Sequence, residues 1–272
     1  MQDHLEISFE KLTEEQVSIL VALLADIGYD GFLETSNSLK AYIVKDRFVE
    51  TDLLDIIQWQ GFSFSTAVIK AENWNAKWES DFEPVLVDDF VCIRASFHSP
   101  ASKVLHDIIV TPKMSFGTGH HATTQLMVKL MREFDFATKQ VFDFGTGTGV
   151  LAILAEKLGA AKVLAIDNDL WSVENAAENI KANNCNAIEI LLSDKPPLEG
   201  SFEIILANIN KSILLRFMAP LRQLLAQNGQ LLLSGLLEDD EEDIMRVAHA
   251  NALKMTDKKS HQGWLALKLA QE

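Results

Sequence analysis

The sequence predicts an α/β protein in which a doubly wound, mostly parallel sheet follows a smaller α/β module. Three observations carry that expectation. From Val141 onward, short apolar runs alternate with longer stretches of helical period. The run from Val141 to Gly149, VFDFGTGTG, takes an apolar strand straight into three glycines spaced by one residue, and a helical pattern follows at once. Residues 1–72 instead read strand, helix, strand, strand, helix, strand.

In that first module the strands are expected at His4–Glu10, Asp30–Thr35, Leu39–Val44 and Ser63–Lys70, and the helices at Glu14–Ile27 and Val49–Trp59. Val17, Leu20, Val21 and Leu24 make a core-facing stripe on the first helix. The order is that of a split β-α-β, ferredoxin-like unit. Residues 73–84 read as a linker helix carrying Trp74 and Trp78 at i, i+4, with Pro84 ending it. A second domain then spans 85–272. Its strands begin at Val85–Val87, Phe90–Ala95 and Asp107–Thr111, and a helix is expected over Gln125–Phe134. After Val141 come strands at Lys162–Asp167, Ile188–Leu192, Phe202–Asn208 and Gln230–Ser234. A final pair near Leu253–Thr256 and Trp264–Leu269 lets one strand run antiparallel. Helices are expected at Val150–Leu158, Leu170–Ala182, Lys211–Gln227 and Glu238–Ala250.

Composition narrows the function classes. At 272 residues the chain is long enough for two domains with real cores. Net charge is −15, and no basic stripe is present, which argues against direct binding of nucleic acid through phosphates. A basic protein partner would be attracted. The acidic run Glu238–Asp243 reads as a solvated helix N-terminus or as a docking patch. Cys92 and Cys185 form no disulfide framework, and no apolar stretch approaches a membrane span, so a cytoplasmic protein with no membrane partner is expected.

The glycine turn implies a nucleoside-type cofactor, because glycines let the backbone come close to the ligand. A P-loop fails, since Val150-Leu151 stands where Lys-Ser/Thr is needed. A dinucleotide site prefers G-x-G-x-x-G, and here the third glycine, Gly149 after Gly145 and Gly147, comes one residue early. Asp143, just before the turn, would repel a pyrophosphate but suits an ammonium. S-adenosylmethionine has an ammonium, a sulfonium, a ribose and no phosphate. Asp167 ends the next strand, about 20 residues on, where a carboxylate accepts from ribose hydroxyls. That feature is shared with NAD. Asp169 is the candidate N-cap of the helix after it. Asp194, beyond the third parallel strand, is positioned to accept from an adenine amino group.

Upstream, Phe116-Gly117-Thr118-Gly119-His120-His121-Ala122-Thr123-Thr124 suits a loop that covers a ligand, with Thr118 and Thr123 closing it and Thr123 or Thr124 as a helix cap. Adjacent histidines rarely share one ion, and metal is not expected there. Asn208, at the carboxyl end of its strand, would face the site and accept a hydrogen bond from a substrate amine.

These three stretches, in this order, resemble the ribosomal-protein methyltransferases of the PrmA type, whose loop reads roughly F-G-T-G-T-H-x-T-T, cofactor turn D-x-G-x-G-[ST]-G, ribose strand D-I-D-P and active-site strand A-N-I-L. The resemblance also takes in Trp74, Trp78, Pro84, Ser234-Gly235-Leu236-Leu237 and Gly263-Trp264. It implies a class I methyltransferase fold with a seven-stranded Rossmann-like sheet, S-adenosylmethionine as cofactor, and methylation of amines on a large-subunit ribosomal protein, the eleventh. It also implies that residues 1–72 recognise that protein. The chain departs from the pattern at Thr111, Lys113, His120, Asn168, Leu170 and Asn210-Lys211. Rival expectations are a methyltransferase of this fold with another acceptor, a nicotinamide-dependent oxidoreductase, and a cofactor-binding module without catalysis.

Overall fold

The computed structural model describes residues 3–35, 37–60, 62–69, 82–113 and 115–272. Two compact units emerge, Met1–Asp81 and Phe82–Glu272. The expected linker helix, with Trp74 and Trp78, lies for the most part outside the described residues, and residues 82–84 are irregular.

The first unit runs β1 (His4–Glu10), α1 (Glu14–Asp26), β2 (Gly31–Glu34), β3 (Ser38–Val44), α2 (Glu50–Gln60) and β4 (Phe64–Ile69). Strict alternation in β1 buries Leu5, Ile7 and Phe9 on one face. Thr13 starts α1 through a capping box with Gln16, and the helix buries Val17, Leu20 and Leu24. The sheet order β2-β3-β1-β4 inserts β3 antiparallel between β2 and β1, the split β-α-β arrangement that the element order implies.

The second unit opens with a small sheet of β5 (Val85–Val87), β6 (Val91–Arg94) and β7 (His106–Ile109). Buried Arg94 braces it by a forked pair to Asp107, with nitrogens 2.8 to 3.0 Å from the carboxylate oxygens. Helix α3 (Ala122–Met131) follows, starting three residues earlier than its apolar period suggests. Then come β8 (Gln140–Phe144), α4 (Val150–Lys157), β9 (Lys162–Asp167), α5 (Leu170–Ala182), β10 (Ile188–Leu192), β11 (Phe202–Asn208), α6 (Lys211–Leu224), β12 (Leu225–Leu237), α7 (Glu241–Ala250), β13 (Leu253–His261) and β14 (Trp264–Gln271).

These strands form the seven-stranded sheet β10-β9-β8-β11-β12-β14-β13, with β14 antiparallel to both its neighbours. Helix α6 was expected to reach Gln227. It stops at Leu224 because Leu225 pairs with Phe202 and opens the long strand β12. The chain winds one way from β8 and the other way from β11, so the order reverses between these two adjacent strands. Ligands of open α/β sheets collect at such a switch, outside the carboxyl ends of the strands. In the acidic run, Glu238–Asp240 form a 3-10 turn and α7 starts at Glu241. Lys211 reaches Asp240 at 2.9 Å and Asp243 at 2.6 Å, and Lys258 reaches Glu241 at 3.0 Å, so much of this charge is matched from within the unit.

Candidate active site

A cavity of about 440 Å³ opens at the switch point, within the ~300–1,000 Å³ usual for small-molecule sites. Its floor is the β8–α4 turn, where Gly145 and Gly147 line it. Both have positive φ, 76° and 55°. A Cβ on Gly147 would overlap the Phe116 carbonyl oxygen, and one on Gly145 would overlap the Ile209 side chain. Only glycine fits either place.

The end of β9 supplies the next wall. Asp167 accepts the Gly147 N–H at 2.8 Å through one carboxylate oxygen and the Asp169 N–H at 3.0 Å through the other. It therefore ties the glycine turn to its own strand end while facing the cavity with lone pairs to spare. Asp169 caps α5, accepting from the Trp171 and Ser172 amides, and Asn168 and Ser172 complete this wall.

Across the switch stands Asn208, only 9% exposed, whose Oδ1 has no hydrogen-bond partner although the residue lines the cavity. A buried amide oxygen without a partner is costly unless a ligand supplies the donor. Asn210 is the N-cap of α6, its Oδ1 accepting from the Ile213 amide at 3.1 Å and the Ser212 hydroxyl at 2.6 Å. The departures at Asn210 and Lys211 thus have local work: one caps a helix and the other is held by Asp240 and Asp243.

The covering loop presents Phe116, His121 and Thr123 to the cavity, opposite Trp264 of β14. The His121 ring packs edge-on against Trp264 with centroids 4.5 Å apart and lies 5.2 Å from Phe116. The sequence offers Thr123 or Thr124 as the helix cap, but the N-cap of α3 is His121, whose Nδ1 accepts the Thr123 amide at 3.3 Å. The same Nδ1 lies 2.8 Å from the Thr123 hydroxyl, so this ring nitrogen is engaged within the cap.

Thr123, Gly145, Gly147, Asp167 and Asn208 therefore meet in one cavity. Four other expected site residues do not line it. Asp143 is 1% exposed, because alternation along β8 sets it on the Val141 face, toward the core that packs α4, beneath the turn. Its Oδ2 accepts the Thr146 hydroxyl at 2.5 Å and its Oδ1 has no partner. Burial pushes this carboxyl up to about 7; the Thr146 bond opposes the rise and the nearby Asp167 charge adds to it. Gly149 is the left-handed N-cap of α4, set against Ala176. Thr118 faces His120 at 3.2 Å, and Asp194 is exposed beyond β10. Sequence reasoning gave no role to Ser172, Gly235 or Thr148; the last is fully buried under the covering loop.

The residues present fit S-adenosylmethionine. The glycine cradle admits a backbone-hugging ligand, Asp167 offers a carboxylate on the cavity wall, and Asn208, which also lines the cavity, has an unpartnered amide oxygen. Among the described residues, no lysine lines the cavity.

Comparison with known proteins gives the family. A family model described as "Ribosomal protein L11 methyltransferase (PrmA)" matches residues 10–272. A ribosomal protein L11 methyltransferase of Porphyromonas gingivalis is 36% identical over 270 residues, which is 95% of this chain and 92% of that protein. One of Chlorobaculum tepidum is 38% identical over 252 residues, 88% of this chain and 86% of that protein. A solved ribosomal protein L11 methylase from Lactobacillus delbrueckii subsp. bulgaricus has a TM-score of 0.66 at 29% identity, over 70% of this chain and all (100%) of that one.

Proposed function

Because the chain belongs to the ribosomal protein L11 methyltransferase family, we propose that it transfers methyl groups from S-adenosylmethionine to amines of ribosomal protein L11, on lysine side chains, the N-terminus or both. The observation that carries this reading is Asn208, which lines the cavity together with the glycine turn and Asp167 and whose buried Oδ1 has no hydrogen-bond partner. The nicotinamide reading falls away with the family assignment. A cytoplasmic setting accords with a ribosomal substrate.

When bound, S-adenosylmethionine supplies an electrophilic methyl group on its sulfonium. The protein's task is then to hold a neutral amine on the line of attack. Asn208 Oδ1 accepts an amine N–H and so orients the nitrogen lone pair. Gly145 and Gly147 bring backbone against the methionine part, Asp167 takes the ribose, and Asp143 backs the turn with negative charge once it ionises. Phe116, His121 and Trp264 wall the acceptor side with rings, excluding water and disfavouring a charged lysine there. His121 orients rather than removes protons, since its Nδ1 is taken by the α3 cap. A lysine of ordinary pKa about 10.4 therefore loses its proton to solvent as it enters. Residues 1–72 are assigned recognition of the protein substrate; 12 acids against 5 bases over residues 1–70 suit a basic partner.

Thermal unfolding tests the cofactor half of this reading. S-adenosylhomocysteine should raise the Tm in a concentration-dependent way, and NAD at the same concentration should not. Stabilisation by NAD alone would refute it.

A further inference from the structure

The covering loop is stitched to the cofactor turn through one residue. Thr148, the hydroxyl residue between Gly147 and Gly149, is fully buried. Its N–H donates to the Phe116 carbonyl at 2.9 Å and its hydroxyl donates to the Gly117 carbonyl at 2.7 Å. Its own carbonyl accepts from Asn179 Nδ2 at 2.8 Å, and Asn179 Oδ1 accepts the Thr111 amide at 2.7 Å. The fit is close, since a Cβ on Gly117 would strike the Thr148 hydroxyl and one on Gly147 would strike the Phe116 carbonyl. The Phe116 side chain, by contrast, has no such anchor: the residue is 52% exposed, on the cavity wall beside His121. What sets the Phe116 ring is therefore its backbone, and Thr148 holds that backbone at two successive carbonyls, its N–H on Phe116 and its hydroxyl on Gly117.

We propose that Thr148 is a positioning residue for methyl transfer, fixing Phe116 and Gly117 on the glycine turn so that the acceptor wall and the cofactor floor form one rigid piece. Thr148 does not line the cavity and touches neither reactant; it acts through Phe116. The proposal rests on the methyltransferase reading for its kinetic consequence, but the stitch itself is a property of the protein alone.

The test compares Thr148→Val, which keeps shape and the backbone bond but cannot donate from the side chain, with Thr148→Ser, which can. Thr148→Val should bind S-adenosylhomocysteine within about threefold of the parent, yet lose on the order of tenfold in kcat toward ribosomal protein L11, because misplacement of a wall affects alignment more than binding. Hydrogen exchange of the peptide covering residues 115–121 should be at least about tenfold faster in the unliganded variant. Thr148→Ser should restore both within about twofold. Unchanged kcat and exchange in the valine variant would overturn the proposal, as would a serine variant no better than valine. A parallel fall of Tm, ligand binding and kcat would also overturn it, by making Thr148 merely structural. If the parent protein methylates no ribosomal protein, the function reading fails instead, and the exchange comparison still decides whether the stitch exists.

Discussion

Replacing Asp167 by alanine separates the cofactor half of the site from the acceptor half. The carboxylate makes two bonds in the free protein, to the Gly147 and Asp169 amides at 2.8 and 3.0 Å, and has lone pairs left for two ribose hydroxyls. A hydrogen bond to a charged acceptor contributes about 1.5–3 kcal/mol, and Asp167 is half-buried, so the lower end applies to each. Two such bonds give about 3 kcal/mol, or roughly 10²-fold in Kd. Loss of the tie to Gly147 loosens the turn and adds to this. Asp167→Asn keeps one acceptor oxygen and should weaken binding by only about tenfold. Calorimetric titration with S-adenosylhomocysteine reads both, with far-UV circular dichroism showing that each variant is folded. A change below about threefold in a folded Asp167→Ala protein would refute the placement of the ribose.

If Asn208 orients the amine as proposed, Asn208→Ala should leave S-adenosylhomocysteine binding as before while kcat falls by about 10²-fold; equal loss of binding in this variant and in Asp167→Ala would collapse the division of roles. Gly147→Ala places a Cβ against the Phe116 carbonyl and forces alanine to a φ of 55°, which should cost about 2–4 kcal/mol in urea unfolding. Asp143 titrates near 7 when folded against an ordinary 3.8, so the folded chain keeps a proton that the unfolded chain releases between those values. Stability from this group is complete below about 4, falls as pH rises to about 7 and is level above. Asp143→Asn should therefore show a smaller drop in Tm between pH 5 and pH 8 than the parent, measured without ligand.

Contiguity governed how much of this was legible in the sequence. The β8–glycine turn–α4 unit, Asp167 at the end of β9 and Asn208 at the end of β11 are each written in one short run, and topology alone brings such strand ends together. Asp143 lies off the cavity wall, because strand alternation sends a charge that stands beside the turn in sequence under it in the fold. Asp194 was placed by its position after a strand, yet that loop stays exposed and away from the cavity. Helix α6 ran on toward Gln227 in sequence terms because Leu224-Leu225-Ala226 suits a helix; only pairing with Phe202, more than twenty residues upstream, ends it. The His121 cap depends on a side-chain rotamer that no spacing rule encodes. Thr148 was invisible for a related reason: its partners lie about thirty residues away, and a threonine among glycines carries no sign of what it will meet.

Methyl transfer to a ribosomal protein can be read directly from the fate of the methyl group. The purified protein is incubated with S-adenosylmethionine labelled in the methyl group and with ribosomal proteins from cells lacking this activity, and the label is followed by mass. Label should appear on amines of L11, abolished by excess S-adenosylhomocysteine and reduced about 10²-fold by Asn208→Ala. Label on RNA or on a small molecule, with none on L11, would contradict it.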